Sequence, residues 1–531
     1  MHRTLLSNRR ALSSAAAVAV ATGLSAANSS GGFFNTSAEA SNKDDLALTA
    51  ADVGSKENVG PTYYTRDQVS ERNGHTRPEM WMSYKGNVYD LTNFVQEHPG
   101  GGKFLREAVG GPLEPFWGYW AYHKSIDVPS DTLRTYWIGR IADEDEDEDT
   151  EDAEDVENDT YASEPKRDSM QIPLLQRPWC SETDLRALRS YFTANDAFYV
   201  RNHAPVPQLD KKNHEISFEC EEDKSTHLMG KGISTKSLDL STLKSRYKKT
   251  TIHSVLQCAG NRGSEMNRIK PTSFSGTPFE YIQCGMIGNA SWSGVLLREV
   301  LLDTFPGIET FSDNDLDSYH VECEGVDGYA CSVPLKHALD KTSDVLLAFE
   351  MNGEDLSPDH GYPIRVFIPG HAGARSVKWM HSIKLSRSEC QSCWHTTYYK
   401  GPEGTSIQKM PMQSFMLSKQ RVGQNSLSAK GVAWGGGHGK GISNVQVSVD
   451  EGQTWTDADL LPRLDAEEDE SSREWSWVHF TAKVALKGEK SCSSDDKLPM
   501  VICRAVDGDG NIQPERPWYP KGYLYNGWHQ L

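Results

Sequence analysis

One cysteine and two histidines carry the strongest chemical signals in this 531-residue chain, because each sits where a turn would present it to a ligand. His98 lies in Phe94-Val-Gln-Glu-His-Pro-Gly-Gly101, where Pro99 and two glycines stop a helix and let backbone approach a flat ligand closely. His123 follows 25 residues later, just after the aromatic run Phe116-Trp-Gly-Tyr-Trp-Ala-Tyr122. A haem iron takes two axial nitrogens from opposite sides and an apolar wall that keeps water away, and these two segments offer both. Taken singly, His98 could be a surface turn residue and His123 a helix-end cap. Tyr89-Asp-Leu-Thr-Asn-Phe94 ahead of the first, and the spacing to the second, favour the pair. No Cys-x-x-Cys-His is present, so such a haem would be non-covalent, of b type.

The cysteine is Cys258, in Leu256-Gln-Cys-Ala-Gly-Asn-Arg262, where the apolar run Thr251–Leu256 ends in a tight turn. A thiol there can be a nucleophile, a soft metal ligand or a buried structural group. Backbone donors and the cation of Gly260-Asn-Arg262 are expected to lower its pKa. Arg, His and Lys recur beside glycine in Arg201-Asn-His203, His360-Gly-Tyr-Pro-Ile-Arg365 and Gly373-Ala-Arg-Ser-Val-Lys-Trp379. Such clusters suit an anionic, phosphate-bearing cofactor.

These residues need several folded units to position them, and the length allows three plus tails. A compact unit is expected over 61–142. Between Asp143 and Asp159, 13 of 17 residues are Asp or Glu; without them the formal charge of −19 falls to about −6. The acidity therefore belongs to one segment and argues against a nucleic-acid partner. Residues 143–168 have little to bury and are expected to form a disordered tether, reaching roughly 90 Å when extended. From 169 to 404 a mixed unit is expected, with helices over Ser181–Tyr191 and Gly294–Thr304 and a strand over Pro363–Ile368. Alternating runs such as Val445-Gln-Val-Ser-Val449 and Val478-His-Phe-Thr-Ala482 predict a β-sandwich over 405–531. Ten scattered cysteines, with Cys390 and Cys393 the one Cys-x-x-Cys pair, point to reduced, buried thiols. Residues 1–45 read as a targeting presequence: 1–38 contain Arg3, Arg9 and Arg10 and no acid. Its apolar stretch Ala15–Ala27 is too short to span a bilayer stably, and no membrane span is expected in the mature chain. The presequence suits the mitochondrial intermembrane space, with a secretory signal as the alternative.

At these motifs the chain resembles known families. Residues 61–142 resemble cytochrome b5, which implies His98 and His123 as axial ligands. Tyr199-Val-Arg-Asn-His-Ala-Pro-Val-Pro207, Gln257–Arg262, Asp359–Arg365 and Gly373–Trp379 resemble the molybdopterin domain of the sulfite oxidase family, and the C-terminal region looks like its dimerisation domain. The implied fold is multidomain α+β: a small α+β haem module, a mixed α/β molybdopterin domain and an immunoglobulin-like β-sandwich. The implied cofactors are haem b and a molybdenum-molybdopterin group with Cys258 as the one protein ligand to the metal. Its contacts would be Tyr199, Val200, Arg201, Asn202, His203, Asp327, His360, Arg365, Ser376, Val377 and Lys378. The implied reaction is oxidation of sulfite to sulfate, with Arg201 holding the anion and Tyr399, in Tyr398-Tyr-Lys-Gly401, beside it. Electrons would pass singly through the haem to cytochrome c, in a homodimer.

Two family arginines are missing. Asn-Arg-Arg reads Asn261-Arg262-Gly263, and Lys521 stands in Trp518-Tyr-Pro-Lys-Gly522 where another arginine is usual. A lysine keeps charge but loses the bidentate fork. The anion pocket is therefore expected to be cationic but roomier, with Arg262 and Lys521 serving it. Rival readings are a related oxidoreductase acting on another small oxyanion such as nitrate, and a non-catalytic haem electron carrier. The order of the modules, haem first, favours sulfite.

Overall fold

The computed structural model describes residues 62–97, 105–106, 108–113, 133–142, 161–220, 228–229, 235–275, 277–423, 425–462, 474–486 and 498–531. His98, His123, the presequence and the acidic run 143–159 lie outside them.

In the haem module the hairpin Trp81–Tyr84 with Asn87–Asp90 turns at Lys85-Gly86. Both turn residues take positive φ, 47° and 70°, as a two-residue hairpin matching the twist of its strands requires. Trp137–Ile141 pairs antiparallel with the second hairpin strand and parallel with Tyr63–Tyr64, giving a four-stranded sheet. Met82, Tyr89, Leu91, Val95 and Leu113 form its core. The short helix Phe94–Glu97 packs Val95 inward.

The central region is built on three sheets. The first orders Lys249–Gln257, Ile287–Leu296, Leu346–Met351 and Glu354–Asp355, with Arg365–Phe367 also paired to Leu346–Met351. Ile287–Leu296 is buried along nearly its whole length, the pattern of a strand covered on both faces. The second runs Ala330–Pro334, His320–Gly325, Met380–Ser386, Glu215–Cys220, Thr235–Asp239 and is antiparallel except at the Met380–Ser386 pairing with Glu215–Cys220. A small third sheet, Gln171–Gln176, Trp179–Thr183 and Val200–Arg201, carries Arg201.

The helix expected over Gly294–Thr304 forms only from Leu297, with Leu297, Val300, Leu301 and Thr304 on its buried face. Gly294 stays in the strand because a Cβ there would lie 2.1 Å from the Leu347 carbonyl oxygen. The helix expected over Ser181–Tyr191 does not form. Ser181–Thr183 belong to a strand held by tertiary bonds, Thr183 N–H to the Gly285 carbonyl at 2.9 Å and Gly285 N–H to the Glu182 carboxylate at 2.9 Å, and one 3₁₀ turn follows at Ala187–Arg189. The tether also ends earlier than Asp168. Tyr161 is buried, and Arg167 Nε and Nη2 donate to the two Asp359 oxygens at 3.0 and 2.9 Å, so residues 161–168 pack on the central domain.

Two four-stranded sheets form the C-terminal sandwich. Val478–Ala485 alternates buried and exposed positions, as a strand with one face in a core must. The sandwich is fastened to the central domain by Trp475 Nε1 donating to Asp344 at 2.8 Å and Trp477 Nε1 donating to the Tyr191 carbonyl at 2.9 Å. No helix among the described residues is long and apolar enough to cross a membrane.

Burial holds His371 and His529 neutral, pushing them down to about 3 and about 4. The unfolded chain binds these protons as pH falls below 6.5, whereas the folded chain resists until its own lower values. Stability is therefore full above 6.5 and is lost as pH falls toward 4. The unfolding free energy read from urea denaturation is expected to drop between pH 7.5 and 5.5, by about 3 kcal/mol for the pair. An unchanged midpoint would show these rings to be charged in the fold.

Candidate active site

Lys249–Gln257 delivers Cys258 to the bottom of a cleft. The Cys258 N–H donates to the Met286 carbonyl at 2.9 Å, and Met286 N–H donates to Asn261 Oδ1 at 3.1 Å, so the turn is locked to the neighbouring strand. Arg262 takes a left-handed φ of 63° and ends the turn. The thiol is pushed up, not down as its neighbours suggested. Burial is the largest cause, with the Gly260 backbone donor and the Arg201 charge acting against it. Without a metal it is a thiol at neutral pH, and a soft cation would displace its proton.

The cleft encloses about 630 Å³ of empty space, its open mouth included. Tyr199, Val200, Arg201, His203, Asp327, His360, Arg365, Ser376, Val377, Lys378 and Tyr399 all line it with Cys258. Gly373 backs it closely: a Cβ there would lie 2.9 Å from the Tyr199 hydroxyl and 3.1 Å from the Gln257 carbonyl oxygen. Asn202 is buried behind the lining and donates to Asp359 Oδ1 at 3.0 Å while accepting from Lys378. Lys378 Nζ also donates to the Asp359 carbonyl at 2.9 Å. Arg365 donates to the carbonyls of His360 at 3.0 Å and Ser376 at 2.7 Å, and its Nε has no partner among the described residues. The His360 ring N–H donates to the Asn195 carbonyl at 2.9 Å. His203 lies 3.0 Å from the Tyr399 hydroxyl, with its ring against Tyr329 and Trp394 at 4.6 and 4.3 Å.

This is a buried, positively charged cradle. Burial pushes Lys378 down to about 7 and Arg365 to about 10, because too little negative charge faces them. An anionic group in the cleft would reverse both shifts. The free Arg365 Nε, the cations and the thiol together fit a phosphate-bearing cofactor with a soft-ligated metal.

The comparisons agree. Residues 203–394 match the oxidoreductase molybdopterin binding domain, 404–531 the Mo-co oxidoreductase dimerisation domain, and 65–142 the cytochrome b5-like heme/steroid binding domain. A sulfite oxidase of Gallus gallus is 34% identical over 499 residues, covering 88% of this chain and all of its own. The chain belongs to the sulfite oxidase family. The mitochondrial sulfite oxidase of Homo sapiens is 35% identical over 500 residues, 88% of this chain and 84% of its own. A nitrate reductase [NADH] of Ulva prolifera is similar at 29% identity, over 61% of this chain and 38% of its own length. The sulfane dehydrogenase SoxCD of Paracoccus pantotrophus shares the fold, with a TM-score of 0.52 at 24% identity over 70% of this chain and 86% of its own.

Within this sulfite oxidase family site, two expected residues are elsewhere. Arg262 is fully buried and faces the C-terminal sandwich. It pairs with Glu265 through Nε and Nη2 at 2.7 Å each, donates to Gln413 Oε1 at 3.2 Å, and lies 5.1 Å over the Tyr525 ring. A guanidinium so held cannot swing to a pocket anion without leaving Glu265 buried and unpaired. Lys521 is exposed outside the cleft, where its carbonyl accepts from Ser273 at 2.8 Å. Three residues not anticipated from sequence stand at the site. Asp359 lines the cleft and anchors it; its place beside His360 in the motif was the available signal. Tyr329 also lines it, two residues after Asp327. Tyr523 packs against Tyr399 with ring centres 5.4 Å apart and planes tilted by 38°, a contact between residues distant in sequence that no local pattern announces.

Replacing Arg262 by Gln is expected to lower stability by about 3 kcal/mol, the size of breaking half a buried ion pair. A denaturation midpoint that stays put while KM for the anionic substrate rises would return this guanidinium to the pocket.

Proposed function

We propose that this enzyme oxidises sulfite to sulfate in two-electron turnovers and sends the electrons singly through its haem module to cytochrome c. The balance is sulfite plus water to sulfate, two protons and two electrons. When bound, the molybdenum-pterin group supplies the oxygen-transfer and two-electron chemistry, held by Cys258 and cradled by Arg365, Lys378, His360 and Ser376. The chain's own part is to bind and aim a small anion. Arg201, partly buried and without a carboxylate among its described hydrogen-bond partners, offers the charge; Tyr399, fixed by His203, offers a hydroxyl. Burial pushes the Tyr399 phenol upward, so at neutral pH it is a donor. The observation that carries the reading is the meeting of Cys258, Arg201 and Tyr399 in one cationic cleft.

The haem would be held by His98 and His123, and the acidic run would let the module visit both the molybdenum cleft and a basic acceptor, an attraction that salt weakens. The dimerisation-type domain supports a homodimer. The mitochondrial relatives support residence in mitochondria, and the composition of the presequence supports the intermembrane space within them.

Purified enzyme assayed with sulfite and with nitrate tests this. Cytochrome c reduction is expected with sulfite alone. Cys258→Ser is expected to lose molybdenum and sulfite turnover while keeping the haem spectrum. Full molybdenum content and turnover in that variant would overturn the assignment, and nitrate-driven oxidation of the haem would favour the oxyanion rival.

A further inference from the structure

Next to Arg201, behind the residues that line the cleft, stands a group of aromatic rings, and sulfite makes no use of rings. The Arg201 guanidinium carbon lies 4.7 Å over the Phe279 ring. Phe279 is 6.4 Å from Phe274, Phe274 meets Tyr523 edge-on at 5.1 Å, and Tyr523 packs tilted against Tyr399. A connected strip of rings therefore runs from Arg201 past the Cys258 turn to Tyr399. Phe274, Phe279 and Tyr523 are each only partly buried, and Tyr281, next along the same loop, is 67% exposed.

Phe274 also explains why no cationic side chain stands at position 263. A Cβ at Gly263 would come 3.1 Å from its ring, one at Gly260 3.2 Å, and one at Gly522 2.9 Å. Three glycines from two domains make room for this one side chain, and a long cationic side chain at 263 would have to displace it. With Arg262 committed to Glu265 and Lys521 outside, Arg201 is the guanidinium left beside the ring strip.

One partly buried cation neutralises a monoanion better than a dianion, whose second charge would remain unpaired. Rings partly open beside that cation reward an apolar substituent. An organic sulfinate, R–SO2⁻, has both features and keeps the sulfur lone pair that sulfite oxidation uses. We propose that this enzyme also oxidises organic sulfinates to sulfonates, with the sulfinate oxygens on Arg201 and the substituent on Phe279 and Phe274. The inference rests on the sulfite reading above. The balance is R–SO2⁻ plus water to R–SO3⁻, two protons and two electrons. A sulfur–oxygen bond forms, the sulfur lone pair supplies the two electrons, and these leave through the molybdenum centre and haem to cytochrome c.

The test is steady-state cytochrome c reduction by the molybdenum-replete holoenzyme with sulfite, methanesulfinate and benzenesulfinate. Benzenesulfinate is expected to exceed methanesulfinate in kcat/KM by about tenfold or more, the scale on which an apolar pocket separates ligands by size. Phe279→Ala is expected to lower the benzenesulfinate-to-sulfite kcat/KM ratio by about tenfold. Sulfite turnover without oxidation of either sulfinate overturns this inference alone. Methanesulfinate equal to benzenesulfinate, in the wild type and so independent of any folding defect, overturns the role of the rings. No turnover of any of the three at full molybdenum content overturns the sulfite reading and this inference with it.

Discussion

The carboxylate of Asp359 accepts from Arg167 at 3.0 and 2.9 Å and from Asn202 at 3.0 Å, while its own carbonyl takes Lys378 at 2.9 Å. Four segments far apart in the chain, around 161–168, 199–203, 359–365 and 376–378, meet on this one residue. Each brings a group that would be costly to bury alone, and each satisfies another. Nearby cations hold the Asp359 carboxyl below the usual carboxylate range although burial works the other way. The wall of the cleft is an electrostatic assembly before it is a packed one.

That assembly is left incomplete on purpose of function. Arg201, Arg365 and Lys378 outnumber the acids that face them, and the depressed Lys378 and Arg365 record the deficit. The thiol of Cys258 has the opposite problem, being buried and pushed toward its neutral form. One bound group that is both polyanionic and metal-bearing answers both deficits, by neutralising the cations and by replacing the thiol proton. Binding of such a group and stability of the domain are then coupled through the same residues.

The C-terminal sandwich contributes more than a surface for another subunit. Arg262, next to the cysteine turn, is buried against Gln413, Ser414 and Tyr525, and Leu524 N–H donates to the Ala259 carbonyl at 2.8 Å. Tyr523, one residue away, holds Tyr399. Position along the turn beginning at Cys258 is thus set from both domains, and the glycines at 260, 263 and 522 permit the close approach with Phe274 between them.

Sequence alone determined the module order, the three domain types and the group of residues that line the cleft, because these rest on short motifs in which glycine, histidine, arginine and cysteine are adjacent or nearly so. It also determined the sandwich strands, where local alternation agrees with the final fold. Only tertiary structure decided the rest. Ser181–Thr183 became a strand because Gly285 pairs with it from 102 residues away in the case of Thr183. Arg262 turned from the pocket because Glu265 and the sandwich offered it a buried partner. The Cys258 thiol rose because desolvation outweighs neighbouring charge. Tyr523 reached the site because the chain's end folds back on the cysteine turn. In each instance the deciding energy is a burial or an ion pair made with a residue distant in sequence, and no local pattern contains it.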